Sequence, residues 1–137
     1  MMTRTSSKKT VTPDYWQARL ASARAFRRAA EDAIMLSETG VDANPAISQI
    51  VLSAIAYVDC LTAKRANVIN QQDHSAASKL LRDVLGAALP AAQENRFRRI
   101  VGNKDASQYG ARPANMQQAQ RLLEDLIEFA NWVDGQL

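Results

Sequence analysis

The fold turns on one stretch, Asn44-Pro45-Ala46-Ile47-Ser48-Gln49-Ile50-Val51-Leu52-Ser53-Ala54-Ile55-Ala56-Tyr57-Val58-Asp59-Cys60-Leu61-Thr62-Ala63-Lys64-Arg65. Asn44-Pro45 is a helix-start signal, a polar cap followed by a residue whose φ is already helical. Beyond it, Ile47, Ile50, Val51, Leu52, Ala54, Ile55, Ala56, Val58, Cys60 and Leu61 fall on every side of a helix running to about Arg65. A helix with no polar face belongs at the centre of its domain, so other helices must surround it.

The flanking segments supply them. Thr12-Pro13-Asp14 predicts a helix start, with a hydroxyl cap, proline at the first helical position and an acid at the positive end of the helix dipole. That helix runs to about Ser37 with Trp16, Leu20, Ala23, Ala30, Ala33 and Ile34 on one face, and Gly40 ends it. Residues 66–72 read as a polar connection. A third helix starts near Asp73 or Ser75 and carries Ala77, Leu81, Val84, Leu85 and Ala88 on the stripe that includes His74. Leu89-Pro90 breaks it, and a short fourth helix turns Phe97, Ile100 and Val101 inward. Residues 102–115 are rich in turn formers. A last helix from about Asn115 to Val133 presents Met116, Ala119, Leu123, Leu126, Ile127, Ala130 and Val133. No strand-like alternation and no internal repeat interrupt the pattern. The expectation is an all-α, four- to five-helix up-down bundle forming one domain over residues 13–137.

Composition agrees with that class. The chain has 137 residues, long enough for one core, and is 47% hydrophobic and 23% charged. Its single cysteine, Cys60, excludes an internal disulfide and a multi-cysteine zinc site and suits a reducing, cytoplasmic setting. No apolar run reaches the roughly 18 residues of a membrane helix, so no membrane association is expected. Residues 1–12, basic and hydroxyl-rich without a following apolar segment, read as a flexible tail rather than a secretory signal.

The formal net charge of +3 conceals an asymmetry. Residues 1–30 carry Arg4, Lys8, Lys9, Arg19, Arg24, Arg27 and Arg28 against Asp14. Residues 96–112 carry Arg96, Arg98, Arg99, Lys104 and Arg112 against Asp105, whereas residues 115–137 carry Glu124, Asp125, Glu128 and Asp134 against Arg121. Such segments suit an anionic partner such as RNA, with Arg98, Arg99 and Arg112 as its basic surface. They equally suit solvated faces that pair with one another, and this second reading is preferred.

Few residues carry chemistry. Asp59 sits in the most apolar helix, where a lone carboxylate is costly, and its candidate partners are His74, Lys64, Lys104 and Tyr109. It is either an acid that orients a catalytic group or a satisfied polar contact, the latter preferred. His74 is the only histidine, so any imidazole chemistry passes through it. Adjacent helical side chains diverge, so Asp73 is expected to cap the third helix rather than polarise His74. His74 then reads first as a buried, hydrogen-bonded residue. Lys104 and Tyr109 flank the irregular loop, where they bind phosphate or ribonucleotide oxygens or else cap and plug the end of the bundle. One His, one Cys and scattered carboxylates give no metal-ligand spacing, and no phosphate loop or nucleophile motif is present, so neither metal nor cofactor is expected.

The order of these features resembles the HEPN superfamily of small helical bundles, in particular its short bacterial members. The matching residues are Asp59-Cys60-Leu-Thr-Ala-Lys-Arg65, then Gln72-Asp73-His74-Ser-Ala-Ala-Ser-Lys-Leu-Leu81. After them come Arg99-Ile-Val-Gly-Asn-Lys104-Asp-Ala-Ser-Gln-Tyr109 and a closing amphipathic helix, the likeness covering roughly residues 15–133. The resemblance implies a bundle that forms homodimers, often with RNA-related roles in toxin–antitoxin and defence systems. Active members are metal-independent ribonucleases with an Arg, four to six residues and a His. Here Arg98 and Arg99 are followed by Asn103, Lys104, Asp105 and Ala106, and positions 67–69 before His74 are Asn, Val and Ile, so that motif is absent. The leading expectation is therefore a non-catalytic dimeric module that binds a nucleotide, RNA or protein partner through the region of Asp59, Asp73, His74, Lys104 and Tyr109. The alternatives are a divergent ribonuclease using His74, and a protein-interaction module presenting the acidic last helix and the basic first one.

Overall fold

In the computed structural model, residues 8–38, 40–104 and 113–137 are described, His74 for its backbone alone. The apolar stretch forms helix α2 (Asn44–Ala66), and 15 of its 23 residues are buried. By length and composition this helix could cross a membrane, contrary to the expectation that no segment is so apolar; 78% of its most apolar window is buried inside the protein, as in a core helix. Asp42, rather than Asn44, satisfies the first turn: its Oδ1 accepts from Asn44 N at 3.0 Å and from Ala114 N at 3.1 Å. The helix ends at Asn67, which adopts the left-handed region (φ 55°) that asparagine tolerates best after glycine, and its N–H closes onto Ala63 and Thr62 carbonyls.

Helix α1 (Tyr15–Met35) runs antiparallel to α2, because Val11 N donates to Asn67 O at 2.8 Å where α2 ends. It starts two residues later than Pro13 would place it: the Thr12 hydroxyl donates to Asp14 Oδ1 at 2.8 Å, and the Asp14 side chain in the cap position accepts no bond from the helix. Ala23 and Ala30 are fully buried, and their small side chains let the helices approach until Ser53 Oγ donates to Ala23 O at 2.7 Å. Ala33, expected on this face, is exposed.

Beyond α2 the chain departs from the sequence reading. Val68–Asn70 form β2, paired antiparallel with β1 (Lys8–Thr10) in the register Lys8↔Asn70, Lys9↔Ile69 and Thr10↔Val68. Residues 8–10 are thus a strand rather than part of a tail, and Gln71 Nε2 ties the end of the ribbon by donating to Lys8 O at 3.1 Å. The left-handed Asn67 is what turns the chain into extended β-branched Val68-Ile69. A three-residue strand whose partner lies some sixty positions away leaves no local pattern to read.

Helices α3 (His74–Leu85) and α4 (Ala91–Val101) form an antiparallel hairpin, with a 3₁₀ turn at Gly86–Ala88 between them. Arg82 Nε reaches Glu94 Oε2 at 2.8 Å and Arg98 Nε reaches Ser78 Oγ at 3.3 Å. Ala77, Leu81, Leu85, Phe97, Ile100 and Val101 are buried as the periodicity predicts, whereas Ala88 is exposed. Helix α5 (Met116–Gln136) opens with a capping box between Asn115 and Gln118. It lies parallel to α2, since Ala43 N donates to Ala114 O at 2.9 Å at one end and Lys64 Nζ to Leu137 O at 2.8 Å at the other. Phe129 of α5 stacks on Phe97 with ring centroids 5.7 Å apart. The described residues thus form five helices and a two-stranded ribbon around α2.

Asp42 holds two chain segments together, the start of α2 and the approach to α5. Asp42→Ala is expected to lower stability by about 1–2 kcal/mol, the range for loss of a cap, with an unchanged urea m-value.

Candidate functional site

Asp59 lies on the face of α2 turned to α1, and its partner is Arg19, a residue outside the expected set. Arg19 Nη2 stands 3.1 Å from Asp59 Oδ2. Asp59 is only 7% exposed; burial pushes its carboxyl up to about 6, against the pull of the Arg19 charge and hydrogen bond. Arg19 Nε is itself buried without a hydrogen-bond partner among the described residues. Lys64, another candidate, is engaged elsewhere: it donates to Leu137 O and sits 4.4 Å from the centroid of the Trp16 ring. Burial also pushes the Cys60 thiol up to about 11, leaving little nucleophilic thiolate at neutral pH. Asp59 is therefore paired with Arg19 in the α1–α2 seam. A signal for it did exist, because Arg19 falls on the same face of α1 as Trp16, Ala23 and Ala30.

Around His74 the local geometry is clear. Asp73 caps α3, its Oδ1 accepting from Ala76 N at 3.2 Å and from the Ser75 hydroxyl at 2.8 Å. Asn70 Nδ2 donates to the carbonyls of Gln72 at 2.9 Å and Asp73 at 3.0 Å, fixing the approach to the helix. His74 is thereby set at the first helical position. Alongside lies a groove of about 740 Å³ between the ribbon and α3, lined by Lys8, Val68, Gln72, Ala76, Lys79 and Asp83 among others. Lys104 is half-buried just beyond α4, and Tyr109 and Arg112 lie outside the described residues.

The basic segments meet the acidic helix within the fold. Arg99 holds Asp125 with two bonds, Nε at 3.3 Å and Nη2 at 3.0 Å, and Arg24 Nη2 stands 3.4 Å from Asp134. Arg98 is turned to the Ser78 hydroxyl. Both ion pairs are substantially exposed, so each is worth under about 1 kcal/mol and serves to orient α5. Arg24 also belongs to a cleft that the sequence reading did not single out. The cleft occupies about 340 Å³ and is lined by Arg24, Arg27, Arg28, Glu31, Tyr57 and Asp134. Its signal in the sequence is the arginine spacing of three and four residues on α1, opposite the one phenol in α2. No group of three or more His, Cys, Asp or Glu able to hold a metal occurs among the described residues.

The chain matches no protein-family model, and a search of curated proteins finds no match. The Asp59 pair has a pH signature. Its folded-state value of about 6 lies above the ordinary 3.8, so the folded protein binds this proton more tightly than the unfolded chain. The corresponding stability is fully present below pH 3.8 and is lost as pH rises through 6, a change of roughly 3 kcal/mol. Urea denaturation from pH 4 to 7 is expected to show Asp59→Asn gaining stability relative to the wild type as pH rises. Arg19→Met is expected to move the Asp59 titration, followed by NMR, to still higher pH.

Proposed function

We propose that this chain is a non-catalytic, HEPN-like helical-bundle module that binds single-stranded RNA in the groove between the β1–β2 ribbon and α3. The observation that carries the reading is the composition of that groove. Lys8 and Lys79 stand on its walls with the Gln72 amide, over apolar floor residues Val68, Leu80 and Val84. Lysine heads and an amide suit phosphate and ribose oxygens, and an apolar floor suits unstacked base faces. Lys9, paired with Ile69, points to the other face of the ribbon and leaves Lys8 as the ribbon's lysine in the groove. Asp83, one turn beyond Lys79 on α3, repels phosphate and so limits where the backbone can run. The sequence resemblance supplies the wider frame: a cytoplasmic homodimer of toxin–antitoxin or defence type, in which RNA is the partner. The absence of the Arg-x4–6-His motif favours binding over cleavage.

Fluorescence anisotropy with labelled single-stranded RNA in EDTA tests this reading. Affinity is expected to fall linearly in log–log form with salt, and Lys8→Ala/Lys79→Ala to make the slope shallower by about 1.4, the share of two phosphate contacts on a single strand. Absence of binding at low salt, or an unaltered slope in the double variant, refutes the groove as the RNA site. RNA cleavage that disappears in His74→Ala would instead identify the ribonuclease alternative.

A further inference from the structure

We propose that the cleft between α1, α2 and α5 is a binding site for a phosphate group, free or as a small phosphomonoester, held by Arg24 and Arg28 above the Tyr57 hydroxyl. It shares no lining residue with the groove assigned to RNA and does not rest on that assignment.

The argument begins with spacing. Arg24, Arg27 and Arg28 stand at i, i+3 and i+4 on α1, so their side chains share one side of the helix. Arg27 is held within the lining of the cleft: its Nε donates to Glu31 Oε1 at 2.8 Å, and its positive charge near Tyr57 opposes the effect of burial on the phenol. The protonated Tyr57 hydroxyl can donate to an oxygen of the ligand. Tyr57 as a whole is only 1% exposed, so it is fixed on a rigid helix and its hydroxyl can meet a ligand only at the inner end of the cleft. The phenol is protonated at neutral pH, and burial pushes its ionisation further up.

Arg24 and Arg28 form the mouth. Arg28 is exposed, and Arg24 is held by Asp134 through a single 3.4 Å contact between side chains 56% and 42% exposed. Such a pair is easily exchanged for a better acceptor. A phosphate dianion offers more charge than one carboxylate and oxygens spaced for two guanidinium forks. The lining carries three arginines against two carboxylates, a net positive charge. Its volume of about 340 Å³ lies at the lower end of small-ligand sites, enough for a phosphate with a sugar-sized substituent. Asp134 then acts as a resident competitor that occupies Arg24 when the cleft is empty of ligand.

The test is an NMR titration of the full-length chain at low ionic strength with inorganic phosphate, ribose 5-phosphate and, as a monoanionic control, acetate. Phosphate is expected to give saturable shifts centred on Arg24, Arg28 and Tyr57, with acetate giving none. Arg28→Ala should weaken binding about tenfold, the effect of one charge-assisted contact. Asp134→Asn should tighten it by removing the competing carboxylate, an outcome that general attraction to a basic surface does not produce at one cleft alone. Lys8→Ala/Lys79→Ala should leave it unchanged, which separates this site from the RNA groove. Tighter binding of ribose 5-phosphate than of inorganic phosphate would mark the ligand as an ester, and equal affinity would mark it as free phosphate. Non-saturable shifts, wild-type affinity in Arg28→Ala, or no gain in Asp134→Asn would overturn the proposal.

Discussion

A helix that is apolar on all sides can be stable in water only if other elements cover every side of it, and this requirement on α2 organises the rest of the molecule. Burying Ile50, Val51, Tyr57, Val58 and Leu61 completely removes several large apolar side chains from water, each worth about 1.5–3 kcal/mol relative to exposure. One neighbour cannot do this. Helix α1 packs along one side, with alanines at the closest approach, α5 along another, and the α3–α4 hairpin over the remainder. The aromatic stack of Phe97 on Phe129 joins two of these covering elements to each other, so that they wrap α2 as one layer.

Enclosure of α2 also explains its polar exceptions. Ser53 and Asp59 are buried on the side that faces α1, and each finds its partner there, the carbonyl of Ala23 and the guanidinium of Arg19. The Asp59–Arg19 contact does not fully compensate the carboxylate for leaving water, which is why its proton is held more tightly than usual. A buried pair of this kind contributes little net stability, because the cost of desolvating both charges offsets their attraction. The same geometry directs the Asp59 carboxylate into the helix seam, toward Arg19.

Charge elsewhere follows a similar logic at the surface. The basic first and fourth helices and the acidic last helix, whose charges the linear sequence suggested would pair with one another, are partly neutralised through Arg24–Asp134 and Arg99–Asp125. Among the described residues, basic side chains also line two concave places, the groove beside α3 with Lys8 and Lys79 and the arginine cleft at Tyr57. Both lie where elements distant in sequence converge, as ligand sites in helical bundles usually do.

The sequence by itself determined the helices and their inward faces. The continuous apolarity of residues 44–66, the spacing of Ala77, Leu81 and Leu85, and the Asp73 cap are local properties, governed by helical periodicity and by backbone groups within a turn or so. Even the preferred structural reading of Asp59 followed from the cost of burying a charge. Only the tertiary structure decided which groups meet. Pairing of Lys8–Thr10 with Val68–Asn70, the choice of Arg19 over Lys64 for Asp59, the double use of Asp42 at α2 and α5, and the gathering of three arginines over Tyr57 all join segments far apart in the chain. The reason is physical: periodicity shows which side of a helix turns inward, but the partner on that side is set by how the helices pack, and side chains far apart in sequence leave no mark of their contact in either local pattern.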